Sequence, residues 1–151
     1  FKEAHLVTFN NAAIQTALAR TDWVNWVFKK DSGAGTMAVY VDGVLAESVT
    51  TGRGMSTITA IGASGLPTGT QYVWDGNIDE VSIFNTSSID LADIGTTEPK
   101  DLSAVSGLTH WWRMGDKVTS FPTIPDQIGS NDGTAANEDE ATMVVDDVPP
   151  T

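Results

Sequence analysis

The sequence predicts an all-β protein, an antiparallel β-sandwich. Gly76–Asn85 shows the pattern most clearly, since Val81 and Ile83 alternate with Glu80 and Ser82. Such period-two alternation is typical of a half-buried strand, whose successive side chains leave opposite faces. Turn-forming residues separate about seven such short strands in the first half of the chain, and no long amphipathic helix interrupts them. Many short strands without long helices predict a sandwich.

The elements before this stretch follow the same pattern. Candidate strands occupy residues 4–9, 23–30, 37–41, 44–49 and 57–61. Asp42-Gly43 predicts a two-residue hairpin turn, because both residues tolerate positive φ. Residues 10–21 fit one or two helical turns, and they also fit an irregular crossing with a short strand.

The chain changes character after Asn85. Ser88–Ile94 fits a single helical turn that Gly95 ends. Leu108–Met114 is again strand-like, residues 126–134 form a turn-rich loop, and Ala141–Val148 fits a last strand. We therefore expect a sandwich over residues 1–95 and an acidic C-terminal extension over residues 96–151, which packs on the sandwich or on a neighbouring subunit.

Charge and composition exclude several classes of function. The net charge of −12 argues against a nucleic-acid partner. Residues 1–78 hold 6 acidic and 5 basic side chains, whereas residues 79–151 hold 14 acidic and 3 basic ones. This acidity fits a solvated surface, and also cation binding, adaptation to salt or an acidic contact surface. The chain has no Cys, and no apolar run approaches the ~20 residues of a membrane span.

Four segments, in this order, carry a family resemblance: Asp22–Phe28, Met37–Gly43, Ile61-Gly62 and Trp74–Asn85. Their order and spacing resemble the laminin-G-like, concanavalin-A-like jelly-roll family, over roughly residues 20–95. The resemblance implies a jelly-roll sandwich. The family has several strands before its Trp-containing strand, so either the sandwich is incomplete or the chain continues upstream of Phe1. We expect a neighbour or a missing segment to cover the exposed strand edges.

The C-terminal part carries a second resemblance. Leu108–Pro150 is similar to segments of large bacteriophage structural proteins that carry this kind of domain, and also to the opening strands of another such domain. The two interpretations are compatible, because these strands could complete the sandwich from its C-terminal side.

A glycosidase site is the first candidate chemistry. Retaining glycosidases need two carboxyl groups about 5–5.5 Å apart. Asp79 and Glu80 are sequence neighbours and would point to opposite faces of a strand, so the catalytic pattern is absent. His5 and His110 are the only histidines and indicate neither a catalytic triad nor a zinc site. We expect no enzymatic activity and no required cofactor.

A calcium site is the second candidate. Asp126, Asp132 and the nearby Asp116 could supply the oxygen ligands that calcium prefers. The loop departs from an EF-hand, because Ile128 interrupts its oxygen ligands. The alternative is a pair of tight turns, in which residues such as Gly133 supply the permissive backbone.

Aromatic residues form the third candidate. Trp111 and Trp112 are adjacent and should face opposite sides of a strand. One ring could lie in the core with the other covered by the chain, or one could contact a protein partner or a sugar. With Trp74 and Tyr72 they make up the candidate interface or sugar platform.

These observations favour a non-enzymatic virion structural protein, such as a capsid decoration, head fibre or tail appendage. Its expected partners are sister copies or other virion proteins, with host-surface glycans as a further possibility, and its expected place is the virion. The alternative is a secreted or cell-surface carbohydrate-binding module assisted by calcium. No nucleic-acid binding or membrane insertion is expected.

Overall fold

The computed structural model describes residues 9–52, 58, 60–62, 74, 76–97, 100–115, 118, 120–136 and 140–143. Seven strands and three short helices lie in these ranges. The strands are β1 (Trp26–Asp31), β2 (Thr36–Val41), β3 (Val44–Thr50), β4 (Val81–Phe84), β5 (Leu108–Trp112), β6 (Thr123–Ile124) and β7 (Gly133–Thr134). The helices are α1 (Ala12–Leu18), α2 (Leu91–Ile94) and α3 (Glu140–Met143). All strand pairs are antiparallel.

The strands β1, β2 and β3 form one sheet in that order. Asp42 and Gly43 connect β2 to β3 with φ angles of 48° and 77°, which confirms the predicted hairpin turn. The Asp42 carboxylate accepts a hydrogen bond of 2.8 Å from the backbone N–H of Asn25 and another from the guanidinium of Arg20. These contacts hold the turn against the segment that enters β1.

A β-bulge interrupts the pairing of β2 with β3. Val39 lies opposite Glu47 and Tyr40 lies opposite Leu45, so Ala46 is an extra residue in β3. The side-chain amide of Asn11 donates to the carbonyl oxygen of Ala46. The Asn11 side chain also caps α1, because its Oδ1 accepts from the backbone N–H of Ile14 at 3.1 Å.

Helix α1 confirms the helical interpretation of residues 10–21. Its buried residues are Ile14 and Ala17, which lie three positions apart and so share one face. The helix contacts β2, whose Val39 is almost fully buried. An apolar face on a short helix therefore completes the core beside this sheet.

Helix α2 lies against the hairpin turn through main-chain contacts. It begins after Asp90, whose carboxylate caps the helix by accepting from Ala92 at 2.9 Å, and ends at Gly95, as predicted. A Cβ atom on Gly95 would lie 2.8 Å from the Cα of Gly43. The side-chain amide of Asn25 donates to the Ile94 carbonyl at 3.0 Å, and this bond fixes the end of the helix.

The strands β4 and β5 form a second sheet, and β6 pairs with β7 in a third. The predicted strand over residues 108–114 is confirmed for Leu108–Trp112. The strand predicted over residues 76–85 is shorter than expected and occupies Val81–Phe84 alone. The reason is that Glu80 has a φ of 51°, a left-handed conformation that interrupts an extended strand.

Other predicted strands differ from the structure. Ala141–Val148 was expected to form a strand, but residues 141–143 belong to α3, and the rest lies outside the described residues. Most of the predicted strand over residues 4–9 lies outside them too. For residues 57–61, the described positions 58, 60 and 61 belong to no strand. Four strands, rather than about seven, lie in the described residues up to Phe84.

The chain divides into two compact units. One contains residues 1–55, 86–107 and 149–151, and the other contains residues 56–85 and 108–148. Each unit takes segments from both sides of residue 95, and the predicted division at that residue stays a prediction. Within the described ranges, no helix is long and apolar enough to cross a bilayer.

Candidate functional site

Polar and aromatic side chains gather around β5, in the second unit. On one edge of β5, Trp111 lies opposite Ser82 of β4. On the other edge, Trp112 forms an isolated bridge with Asp126, and the backbone N–H of Gln127 donates to the Trp111 carbonyl at 2.8 Å. Because β5 has backbone partners on both edges, its side chains are held in fixed positions.

Asp126 is the centre of one half of this cluster. Its side chain has no exposed surface. Its Oδ1 accepts from the backbone N–H groups of Trp111 (3.0 Å), Ile128 (3.2 Å) and Gly129 (3.0 Å), and its Oδ2 accepts from the backbone N–H of Asn131 (3.3 Å). Nδ1 of His110 lies 2.6 Å from Oδ2. One carboxylate thus organises the whole loop beside the strand.

These contacts determine the acidity of Asp126. Loss of solvent around the carboxylate acts to raise its pKa. The hydrogen bonds from His110 and from the backbone of Gly129, Trp111 and Ile128 stabilise the charged form and outweigh the desolvation. The pKa of Asp126 therefore lies well below its ordinary value of 3.8.

His110 links the carboxylate to the aromatic ring of Trp112. The two rings are stacked, with centroids 5.5 Å apart and planes at 15°. Nε2 of His110 lies 3.4 Å from the amide nitrogen of Asn131, while the indole N–H of Trp112 donates to the Asn131 carbonyl at 2.9 Å. A neutral ring with its proton on Nδ1 satisfies both contacts, since Nδ1 then donates to Asp126 and Nε2 accepts from the amide.

Glu80 is the centre of the other half. Its Oε2 accepts from the indole N–H of Trp111 at 2.6 Å, and its Oε1 accepts from Nε of Arg113 at 2.9 Å. The Arg113 guanidinium lies over the Trp111 ring, 5.3 Å from the centroid. The backbone of Glu80, which makes both contacts, is left-handed, with a φ of 51°.

The two neighbouring acidic residues of the glycosidase hypothesis have different partners. Oδ1 of Asp79 accepts from the backbone N–H of Glu80 at 2.8 Å. Both oxygens of Glu80 already accept from Trp111 and Arg113. The environment of Glu80 therefore suits a structural ion pair.

The carboxylates of the calcium hypothesis that the structure describes, Asp126 and Asp132, also accept hydrogen bonds from the chain. Asp126 is surrounded by N–H donors, which would have to leave before a cation could bind. Oδ1 of Asp132 accepts from the backbone N–H of Asp126 at 2.9 Å, and Asp116 lies outside the described residues. No group of three or more potential metal ligands occurs among the residues that the structure describes. The contacts seen at Asp126 do not fit a cation, and a site that includes Asp116 stays a prediction.

The aromatic candidates separate into buried and exposed rings. Trp111 and Trp112 are only 5% and 8% exposed, whereas Trp74 is 46% exposed. As strand alternation requires, the Trp111 ring contacts Glu80 and Arg113 while Trp112 contacts the His110 side. The chain itself covers both rings, and Tyr72 lies outside the described residues.

The sequence did not predict the roles of three residues around β5. These are the ion pair between Glu80 and Arg113 and the contact of Asn131 with Trp112. Arg113 follows Trp111 by two residues and so shares its face of the strand, which was an available signal. The pairing with Glu80 depends on contact between residues 33 apart in the chain, and no local pattern records it.

The geometry defines an all-β protein whose antiparallel strands are held by side-chain networks. The family comparison extends this result, because the family model described as the concanavalin A-like lectin/glucanases superfamily matches residues 5–94. The chain belongs to this superfamily, and the predicted all-β jelly-roll class is confirmed. Comparisons with curated proteins and with solved structures returned no match. The superfamily description covers lectins and glucanases alike, so membership alone decides neither sugar binding nor hydrolysis.

Proposed function

We propose that this chain is a non-enzymatic structural protein of a virion, acting as a capsid decoration, head fibre or tail appendage through contacts between subunits. The observation that supports the non-enzymatic part is the hydrogen bonding of the Glu80 and Asp126 carboxylates. Each oxygen of these two carboxylates has at least one donor from the chain itself. Carboxylates held in this way stabilise a fold and are poorly suited to proton transfer with a substrate.

The virion part extends the resemblance to bacteriophage structural proteins that we expected for residues 108–150, a segment outside the family match to residues 5–94. Exposed apolar side chains on the first sheet, among them Phe28 and Val44, support contacts between subunits. The partners under this proposal are sister copies or other virion proteins, and the protein is extracellular once the virion is mature.

Trp74 favours a second candidate, an extracellular carbohydrate-binding module assisted by calcium. Trp74 is 46% exposed, and a residue whose ring stacks on a sugar has to be accessible. The burial of Trp111 and Trp112 argues against a platform built from those two rings. Under this alternative the protein is secreted or attached to a cell surface, and host-surface glycans are its partners.

Light scattering of the purified chain, with and without calcium, distinguishes the candidates. The structural proposal predicts a mass above the 16.0 kDa of one chain, whether calcium is present or not. A monomer that binds a glycan array, and loses that binding when Trp74 is replaced by Ala, would favour the lectin. Assembly only with calcium would identify the acidic half as a metal-bridged joint that includes Asp116.

A test of hydrolysis on β-glucans completes the experiment. The proposal predicts no turnover by the wild-type chain. Turnover that disappears in Glu80→Gln, with the fold intact by circular dichroism, would overturn the non-enzymatic proposal.

A further inference from the structure

Strand β4 lies inside the segment that the superfamily model matches, whereas its partner strand lies outside that segment. The match covers residues 5–94, and β5 begins at Leu108. In the part of the chain that the structure describes, β5 is the only strand that pairs with β4. The matched segment therefore obtains the partner of β4 from the C-terminal part of the chain.

The described residues between 108 and 134 are joined to one another. Strand β6 pairs with β7, and Trp112 forms a bridge with Asp126. The Asp126 carboxylate accepts a hydrogen bond from the backbone N–H of Trp111, and the indole N–H of Trp112 donates to the Asn131 carbonyl. These bonds involve no residue of β4. We call residues 108–134 the completing segment.

The contacts between β4 and the completing segment are specific. The hydroxyl of Thr109 donates to the Ile83 carbonyl at 3.0 Å, beside the backbone pairing of the two strands. The Glu80 carboxylate accepts from the indole N–H of Trp111 at 2.6 Å and from Nε of Arg113 at 2.9 Å. A strand that replaces β5 must therefore carry a Trp and an Arg two positions apart. A second copy of this chain supplies such a strand.

A short connection leads into the completing segment. Residues 86–107 belong to the first unit, whereas residues 108–148 belong to the second. Leu102 is buried, and its carbonyl accepts from the backbone N–H of Val105 at 2.9 Å, which closes a turn. The connection from this turn to β5 includes Gly107, whose φ of 86° lies in the left-handed region that favours glycine. A change of conformation at this glycine would direct the completing segment away from its own β4.

The strong negative charge limits how two copies can associate. A net charge of −12 opposes any contact that brings two whole chains together. Exchange of identical segments leaves the charges within each unit unchanged, because each unit gains the same residues that it gives up. Repulsion then acts only between the two linked molecules, where salt screens it. We therefore expect exchange to increase with ionic strength.

We propose that the completing segment of one copy takes the place of the same segment in a second copy, so that exchange of β5, β6 and β7 links two subunits. This inference rests on the proposed structural function and identifies the contact between its subunits. Each Glu80 then accepts from Trp111 and Arg113 of the other copy. Reciprocal exchange of this kind closes at two copies and is a low-cost route to a dimer.

Charge reversal at the ion pair tests the exchange. Within one chain, Glu80→Arg leaves two arginines facing each other, and Arg113→Glu leaves two glutamates. In a mixture of the two variants, exchange restores the native pair in one unit and places the two replaced residues together in the other. We expect at least about tenfold more dimer, of twice 16.0 kDa, in the mixture than in either variant alone. Sedimentation velocity measures the dimer.

The double variant Glu80→Arg/Arg113→Glu is the matched control. Its two replaced residues form an ion pair within one chain, so exchange with the wild type would create two like-charged contacts. Mixing it with the wild type should therefore give no additional heterodimer. Circular dichroism should show the same fold in all these proteins.

A disulfide tests the exchange in chains that keep the ion pair. The chain contains no cysteine, and Phe84 lies opposite Leu108 in the β4–β5 pair. Mixing Phe84→Cys with Leu108→Cys under mild oxidation should give more linked dimer than either variant alone, with a yield that rises with ionic strength. Should a charge variant fail to fold, this experiment decides, and equal yields in the mixture and in the separate variants overturn the exchange.

The outcomes separate this inference from the proposed function. Equal amounts of dimer in the mixture and in the separate, folded charge variants overturn the exchange and leave assembly through other contacts standing. Heterodimers in both mixtures, together with a wild-type chain that stays monomeric in light scattering, support the exchange and count against assembly of the wild-type chain from sister copies.

Discussion

Asp126 and Trp111, 15 residues apart in the chain, are joined by a hydrogen bond of 3.0 Å from the backbone N–H of Trp111 to Oδ1 of Asp126. The same carboxylate accepts from three backbone N–H groups of its own loop. One side chain therefore shapes the loop and attaches it to the edge of β5. Since the carboxylate is wholly inside the protein, it has no solvent partner in place of these donors.

Asp126→Asn should destabilise the protein strongly. The amide has one acceptor oxygen where the carboxylate has two, and its NH2 group would face N–H donors. A hydrogen bond to a charged group contributes about 1.5–3 kcal/mol, so weakening several of them at once should cost about 3 kcal/mol or more. Urea unfolding followed by Trp fluorescence would measure the change. Asp132→Asn is the control, because its amide keeps an oxygen that can accept from the backbone N–H of Asp126, so the change should cost about 1 kcal/mol or less. Equal losses in the two variants would contradict this account.

Acid should destabilise the protein through the same residue. The folded-state pKa of Asp126 lies below its ordinary value of 3.8, so the unfolded chain binds the proton more readily. The stabilisation is therefore complete above about pH 5 and is lost as the pH falls through 3.8 towards the folded-state pKa. Thermal melts from pH 7 down to pH 2 would show the loss. The Asp126→Asn variant should have a flatter profile, and an unchanged profile would count against this assignment.

Replacing Asn11 should separate the contribution of the α1 cap to stability from that of the hydrogen bond to the Ala46 carbonyl in β3. Asn11→Ala removes the cap of α1 and leaves the Ala46 carbonyl without its donor, which together should cost about 2 kcal/mol. Asn11→Asp keeps a good capping oxygen and loses the amide donor, so it should recover about half of that loss. Chemical denaturation of both variants would test this. An Asp variant no more stable than the Ala variant would show that the helix cap contributes little.

The close approach of Gly95 to the hairpin turn predicts a steric effect. A methyl group at this position would lie 2.6 Å from the Leu91 carbonyl oxygen and 2.8 Å from the Cα of Gly43. Both atoms are main chain and cannot rotate away, so Gly95→Ala should cost about 1–3 kcal/mol. Gly52→Ala is the control, because nothing lies within 4 Å of its Cβ position, and its melting temperature should be nearly unchanged. A neutral Gly95→Ala would mean that the turn and α2 separate readily.

The parts of the fold that depend on near neighbours were predictable from the sequence. The Asp42-Gly43 turn and the helical turn that ends at Gly95 follow from residues a few positions apart, and both occur as expected. The length of β4 was not predictable, because the left-handed backbone at Glu80 accompanies contacts with Arg113, far along the chain. For residues 141–143 the strand prediction was wrong, since α3 begins with Glu140 and continues through Ala141, both good helix formers.

In the candidate site, too, features set by near neighbours were predictable and features set by distant contacts were not. Residues 126–134 were predicted to be a turn-rich loop, and the structure has bends over residues 127–130 followed by strand β7 at the end of this segment. The mechanism differs, because Gly133 lies in β7 without a positive φ and the Asp126 side chain collects the backbone N–H groups instead. Strand alternation placed Trp111 and Trp112 on opposite faces, but it could not reveal that each face is covered. That depends on Glu80, 31 residues from Trp111, and on Asn131, 19 residues from Trp112, which alternation within one strand does not record.

The extra residue in β3, Ala46, determines which side chains of the later part of the strand lie on which face of the sheet. With Ala46 present, Val49 pairs with Met37 and joins the face that carries Val39. If Ala46 instead paired with Val39, each later residue of β3 would move by one position, so that Ser48 would lie opposite Met37 and Val49 would lie on the other face. One unpaired alanine thus reverses which alternate residues of β3 lie on each face of the sheet beyond the bulge. Asn11 secures that shift from outside the strand by binding the carbonyl of the inserted residue.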